Sequence, residues 1–203
     1  MDISPEIANI VQKVKNKSIK LGTVCYVNWG ARSGNVKKYV TDSPIDKQSK
    51  KMINARDIER YSMNYDNKYL WYKKEELYNP MFEELFEKPK LIVRDISGSE
   101  RLKATYDEEK YYSEHTVSLC LLKHDLKRVN KPTSKEGKIN CTKISNYVTK
   151  LLESKKQLAT ANTEADKNYY QQKCQSLDNQ IDKLVYELYG LTEEEIKVVE
   201  GSE

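Results

Sequence analysis

The chain has 203 residues, 38% of them apolar and 33% charged, with a formal net charge of +4. That length holds one domain with a sizeable core, or a domain plus a helical appendage. No run approaches the 18 apolar residues that a membrane-spanning helix needs, and the first twenty residues, polar and carrying Lys13, Lys15, Lys17 and Lys20, read against a secretory signal, so the cytoplasm is the expected compartment.

The small net charge conceals an asymmetry. Residues 141–203 hold 8 Lys and no Arg against 11 acidic residues, a net of −3, so residues 1–140 carry +7. A basic head rich in tyrosine is compatible with nucleic acid. The aromatic inventory is skewed, with 15 Tyr against 2 Phe and 2 Trp, which reads as half-wet surface more than apolar core. Cys25, Cys120, Cys141 and Cys174 form no C-x-x-C pair, so the expectation is free or buried thiols and no structural zinc.

In chain order, residues 4–16 read as a short helix, with Ser4 at the N-cap, Pro5 at N1, Glu6 in the first turn and Ile7, Ile10, Val11 and Val14 on one face. Residues 21–125 read as mostly strands and turns. Leu21 to Asn28 alternates, and turn signals follow at Trp29-Gly30 and Ser33-Gly34-Asn35. Arg56 to Arg60 suits a helical turn, and residues 75–88 suit one or two helices broken near Pro80. Lys90 to Arg94, Leu102 to Tyr106 and Thr116 to Leu122 read as strands, with a turn over Ile96 to Glu100 and a solvated acidic turn at Asp107-Glu108-Glu109.

Residues 130–141 read as a linker, and the tail beyond is helical. Ile144, Val148, Leu151, Lys155 and Leu158 keep 4-3-4-3 spacing, as do Tyr170, Cys174, Leu177, Ile181, Leu184 and Leu188, but the two series are out of phase. Thr163 to Asp166 matches a capping box between them, which favours two antiparallel helices over one long helix. Gly190 suits a C′ cap, and Thr192 with Glu195 caps a last short helix.

No phosphate-cradling glycine loop, metal-ligand spacing or nucleophile elbow is present. The neighbours Glu114-His115 and His124-Asp125 point to opposite faces if on strands, so neither makes a dyad. The positive candidates are basic and amide residues on turns. Arg32, Ser33, Asn35, Lys37 and Lys38 surround two glycines, Arg56 and Arg60 flank Asp57, and Arg94 and Lys103 sit near Gly98. Arginine and asparagine make bidentate contacts to base edges, while lysine chiefly neutralises phosphate.

The order of segments resembles the TaqI-like C-terminal specificity domain, the target recognition domain of type IIG restriction–modification enzymes and adenine-specific DNA methyltransferases. The stretches that carry it are Leu21 to Val27 with Gly30, Met52 to Tyr61, Phe82 to Arg94, Leu102 to Tyr112 and Ile181 to Ile196. The resemblance implies an α+β chain: a lead-in helix over 1–17, a curved β-rich target recognition domain over 18–129, and a helical hairpin with a short terminal helix over 142–203. It implies double-stranded DNA as ligand and a methyltransferase or endonuclease domain or subunit as partner. S-adenosylmethionine and Mg are implied for that partner alone, and this chain is expected to hold no cofactor. The family's catalytic N-P-P-Y-type motif is missing, since Asn79-Pro80-Met81-Phe82 lacks the second proline. The recognition domain is also shortened, with only the linker between its β-rich region and the tail. The expected function is thus a non-catalytic specificity module, and the alternative is a coiled-coil-type interaction module or a remnant that does not bind DNA.

Overall fold

The computed structural model describes residues 4–95, 101–123 and 135–201, with backbone alone for 135–140. The chain is α+β and divides into two units, residues 21–127 and residues 1–20 with 128–203. The expected turn at 96–100 and the His124-Asp125 pair lie outside the described residues.

Helix α1 (Pro5–Lys17) starts as its sequence dictates: Ser4 Oγ accepts the Ile7 amide at 3.4 Å and Pro5 fills the position whose N–H has no helical partner. A single turn α2 (Leu21–Val24) then precedes strand β1 (Cys25–Trp29). The expected strand over Leu21 to Asn28 is therefore half helix. The partner strand of β1 ends opposite Cys25, so residues 21–24 have no strand to pair with; Lys123, just past that strand, takes the Val24 carbonyl with its amide at 2.9 Å and the Gly22 carbonyl with its ammonium at 2.6 Å.

Helical turn α3 (Val36–Tyr39) runs into β2 (Val40–Thr41), followed by β3 (Ser49–Ile53), a 3-10 turn (Ala55–Asp57), β4 (Ile58–Glu59), β5 (Ser62–Met63) and β6 (Lys68–Trp71). Next come helical turn α4 (Glu84–Glu87), β7 (Lys90–Arg94), β8 (Ala104–Asp107), β9 (Tyr112–Ser113) and β10 (Val117–Leu122). One sheet has the order β1-β10-β7-β8 and is antiparallel throughout. The other has the order β2-β6-β3-β9, with β3 and β9 parallel, and β4-β5 is a separate hairpin. The helices expected over 75–88 reduce to α4. Asn79 is drawn into a β-bridge with Arg32, and Met81 adopts φ 60°, so the chain there cannot coil.

Tyrosine supplies much of the core, against the expectation of half-wet surface. Tyr112, 1% exposed, stacks on Phe86 with centroids 4.3 Å apart, and Tyr72 packs edge-on against both. Each buried hydroxyl finds an acceptor at the rim: Tyr112 on Glu87 at 2.8 Å, Tyr72 on the Pro80 carbonyl at 3.0 Å, Tyr111 on Glu109 at 3.1 Å and Tyr39 on Glu76 at 2.9 Å. The ring thus does the work of phenylalanine while the oxygen stays bonded. Asp107, read as part of a solvated turn, is buried as well. Its register partner across β7–β8 is Lys90, whose Nζ donates to the Asp107 carboxylate and, at 2.7 Å, to the Phe86 carbonyl.

In the helical unit, α5 (Lys135–Thr160) and α6 (Glu164–Tyr189) form a hairpin across a three-residue connection. Thr163 Oγ1 accepts the Asp166 amide at 3.0 Å, and Gly190 ends α6 at φ 65°. Helix α5 begins at Lys135, before the expected start at 142, because Lys, Glu and Ile propagate a helix and one Gly137 costs only about 1 kcal/mol. Leu151, Cys174, Leu177 and Ile181 form its buried seam. Helix α7 (Glu193–Glu200) is capped by Thr192 and Glu195, and Glu195 also pairs with Lys13 of α1 at 2.7 Å. Ile181→Asp places a charge in that seam. It is expected to melt the hairpin while the thermal transition of the β-rich unit stays in place, read by circular dichroism.

All four cysteines are free thiols, with Cys25, Cys120 and Cys174 buried and Cys141 exposed. Burial raises the pKa of all three buried thiols, Cys120 to about 11. At pH 8 a thiol-specific chromogen is expected to titrate one thiol rapidly and the other three only on unfolding, and Cys141→Ser removes the fast phase. A fast phase that survives Cys141→Ser contradicts this arrangement.

Candidate nucleic-acid interface

Three stretches far apart in sequence meet around Ser113 and Glu114. β3 brings Ile53 beside Ser113 in parallel register, so the 3-10 turn carrying Arg56 starts next to this point. On the other side the Ala31 amide donates to the Ser113 carbonyl at 2.8 Å. Glu114, buried, accepts from the Ser33 amide at 3.2 Å and from Ser33 Oγ at 2.5 Å. The Arg32 backbone exchanges two hydrogen bonds with Asn79, at 2.7 and 3.0 Å. The loop 30–35 is therefore fixed along both edges, which aims the Arg32 side chain outward, with its guanidinium carbon 5.3 Å from the centre of the exposed Trp29 ring.

The nine candidate side chains divide by environment. Ser33 is turned inward, and its hydroxyl holds Glu114. Asn35 caps α3, its side-chain oxygen accepting the Lys38 amide at 3.2 Å. Lys38 pairs with Glu76 at 2.8 Å, and its pKa is raised by hydrogen bonds from its ammonium to that carboxylate and to the Tyr39 oxygen. Lys103 pairs with Glu59 at 3.0 Å. Arg60 lies over the Tyr61 ring, and the Tyr61 amide bonds the Ala104 carbonyl beside Lys103. Arg94 closes β7, its amide on the Lys103 carbonyl and its Nε buried without a hydrogen-bond partner among the described residues. Arg32, Lys37 and Arg56 stand exposed, with no ion pair among the described residues.

So the candidates form two groups, one on the 30–38 loop beside the Arg56 turn and one where β4–β5 meets the β7–β8 end. The basic head also resolves differently. Residues 21–127 hold 19 basic and 17 acidic residues, a net of only +2, and Lys50, Lys68, Lys73, Lys74, Lys90 and Lys110 are paired with carboxylates as well. The rest of the head's charge lies in residues 1–20 and 128–140. Tyr78, Asn79 and Glu114 were not legible as site residues, because only non-local pairing brings them to the loop, while Trp29 adjoins the loop in sequence and reads there only as part of a turn signal. Among the described residues no three His, Cys, Asp or Glu side chains are placed to hold a metal, and no helix is long and apolar enough to cross a membrane.

The β-rich unit presents Arg32 on a pinned loop beside the turn that carries Arg56, and the same chain carries a helical hairpin. The family model for the TaqI-like C-terminal specificity domain matches residues 50–165, and the chain belongs to that family. The match includes Arg56, Arg60, Arg94 and Lys103, while the 30–38 loop precedes it. No curated protein matches the chain.

Proposed function

We propose that this chain is a non-catalytic DNA-recognition module of a type II restriction–modification system, acting in the cytoplasm on double-stranded DNA for an adenine-specific methyltransferase or type IIG endonuclease partner. S-adenosylmethionine and Mg belong to that partner in this reading. The observation that supports it best is the convergence of the Arg32 loop and the Arg56 turn on Ser113–Glu114, with Arg32, Lys37 and Arg56 unpaired at the surface. Arg32 and Arg56 are the base-edge readers, Lys37 is a phosphate contact, and Ser33 and Asn35 position the loop. Lys38, Arg60, Arg94 and Lys103 are secondary contacts, because each is already engaged or partly buried.

The test is gel-shift titration of a duplex library over a salt series. Each neutralised phosphate contributes about −0.9 to the slope of log affinity against log salt, so Lys37 alone predicts a slope near −1 and each secondary contact that meets a phosphate steepens it. Arg32→Ala and Arg56→Ala are each expected to weaken binding about 5-fold or more without moving the melting temperature. Absence of binding at about 50 mM salt, with or without a methyltransferase partner, would remove the reading. A second reading rests on Ile7 and Val11 of α1 and Val198 and Val199 of α7, apolar side chains left exposed in the helical unit. It makes that unit a protein contact, and a stable oligomer by light scattering that ignores DNA would favour it.

A further inference from the structure

Two large aromatic rings stand in water on the two segments that pair at Arg32. Trp29, 52% exposed, has the guanidinium over one face, and Tyr78 is 78% exposed. Tyr78 is tied to the same loop, because its neighbour Asn79 bridges Arg32 and a Cβ on Gly34 would stand 3.1 Å from the Tyr78 Cβ. The same loop carries Arg32 and Lys37, cations without an ion pair among the described residues, so it is complementary to an anionic ligand that also offers flat apolar faces. A nucleic-acid strand has both features, and every base has a stackable face. Inside a duplex those faces are covered by neighbouring base pairs, so the ligand must present bases out of the stack.

We propose that Trp29 and Tyr78 form a stacking platform beside Arg32 for unpaired bases of DNA, whether in a single strand or in a duplex opened at the recognised site. The inference rests on the DNA-binding reading and adds which form of DNA the loop takes. The contact of Arg32 with the Trp29 ring holds the guanidinium at the edge of a base stacked there, and the Glu114 and Asn79 contacts keep the loop from reordering on binding.

The probe is a 12-nucleotide oligothymidine, compared with a duplex of the same length. Trp71 is the other tryptophan and is engaged, its Nε1 donating to Asp46 at 2.9 Å, so Trp71→Phe leaves Trp29 as the only tryptophan, read by excitation beyond the tyrosine band. The single strand is expected to quench that emission. In labelled-oligonucleotide anisotropy, which needs no Trp71 change, Trp29→Ala and Tyr78→Ala are each expected to weaken single-strand affinity about 10-fold and affinity for the fully paired duplex by a smaller factor. Arg32→Ala is expected to weaken both. An unchanged emission, or full single-strand affinity in both ring variants, overturns the proposal and reassigns the patch to a protein contact. In either case retained duplex binding keeps the recognition reading, and loss of duplex binding by the unmodified chain removes that reading instead.

Discussion

Asp107→Asn is expected to destabilise the β-rich unit by about 3–5 kcal/mol, a large share of the 5–15 kcal/mol that holds a domain of this size together. Both Lys90 and Asp107 have side chains cut off from water. The carboxylate also accepts the Glu109 amide on Oδ1 at 2.8 Å and the Tyr111 amide on Oδ2 at 3.0 Å, so the single oxygen of an asparagine keeps one of those bonds while the charge and the second acceptor are lost. What remains is a buried ammonium on one carbonyl, and its desolvation is uncompensated. Urea unfolding followed by circular dichroism measures the loss. Lys90→Met with Asp107→Asn removes both charges and is expected to recover more than half of it, and equal instability of the single and double variants would contradict the account. Burial already pulls the Lys90 pKa down, with the Asp107 carboxylate opposing that pull. In Asp107→Asn the opposition is gone, so the folded state holds that proton less tightly than the unfolded state. Stability then rises with pH below the free lysine value, and the variant is expected to gain stability between pH 7 and 9.

Gly30→Ala is expected to cost about 3 kcal/mol and to abolish duplex binding. A Cβ at residue 30 would lie 2.0 Å from the Ser113 carbonyl oxygen and 2.4 Å from its carbon. These are backbone atoms of β9, which is paired to β3 and cannot yield, so the 30–35 loop must leave and the Ala31 bond to Ser113 is lost. Gly22→Ala is the control, since nothing lies within 4 Å of its Cβ, and its stability is expected to stay within about 0.5 kcal/mol. Melting curves with gel shifts read both effects. Full binding by Gly30→Ala would show that the 30–35 loop does not carry recognition.

Some of this was legible in the order of residues. Ser4, Thr163, Thr192 and Gly190 announce helix ends, because a cap joins groups three or four residues apart and needs no tertiary partner. The apolar runs at Lys90 to Arg94 and Thr116 to Leu122 likewise become central strands. The second sheet was not legible. β3 reads Ser-Lys-Lys-Met-Ile and β9 has two residues, so neither shows alternation, and both are strands through their neighbours alone.

The sequence by itself therefore determined the α+β class, the capped helices of the tail and the family, all of which rest on local spacing or ordered motifs. Tertiary structure alone decided which of nine polar candidates face water. Ser33 and Glu114 are 81 positions apart, and only folding lets one carboxylate turn a serine inward and leave the adjacent arginine out. It also decided that tyrosine fills the core, because a ring is buried only where a distant carboxylate or carbonyl stands ready to take its hydroxyl.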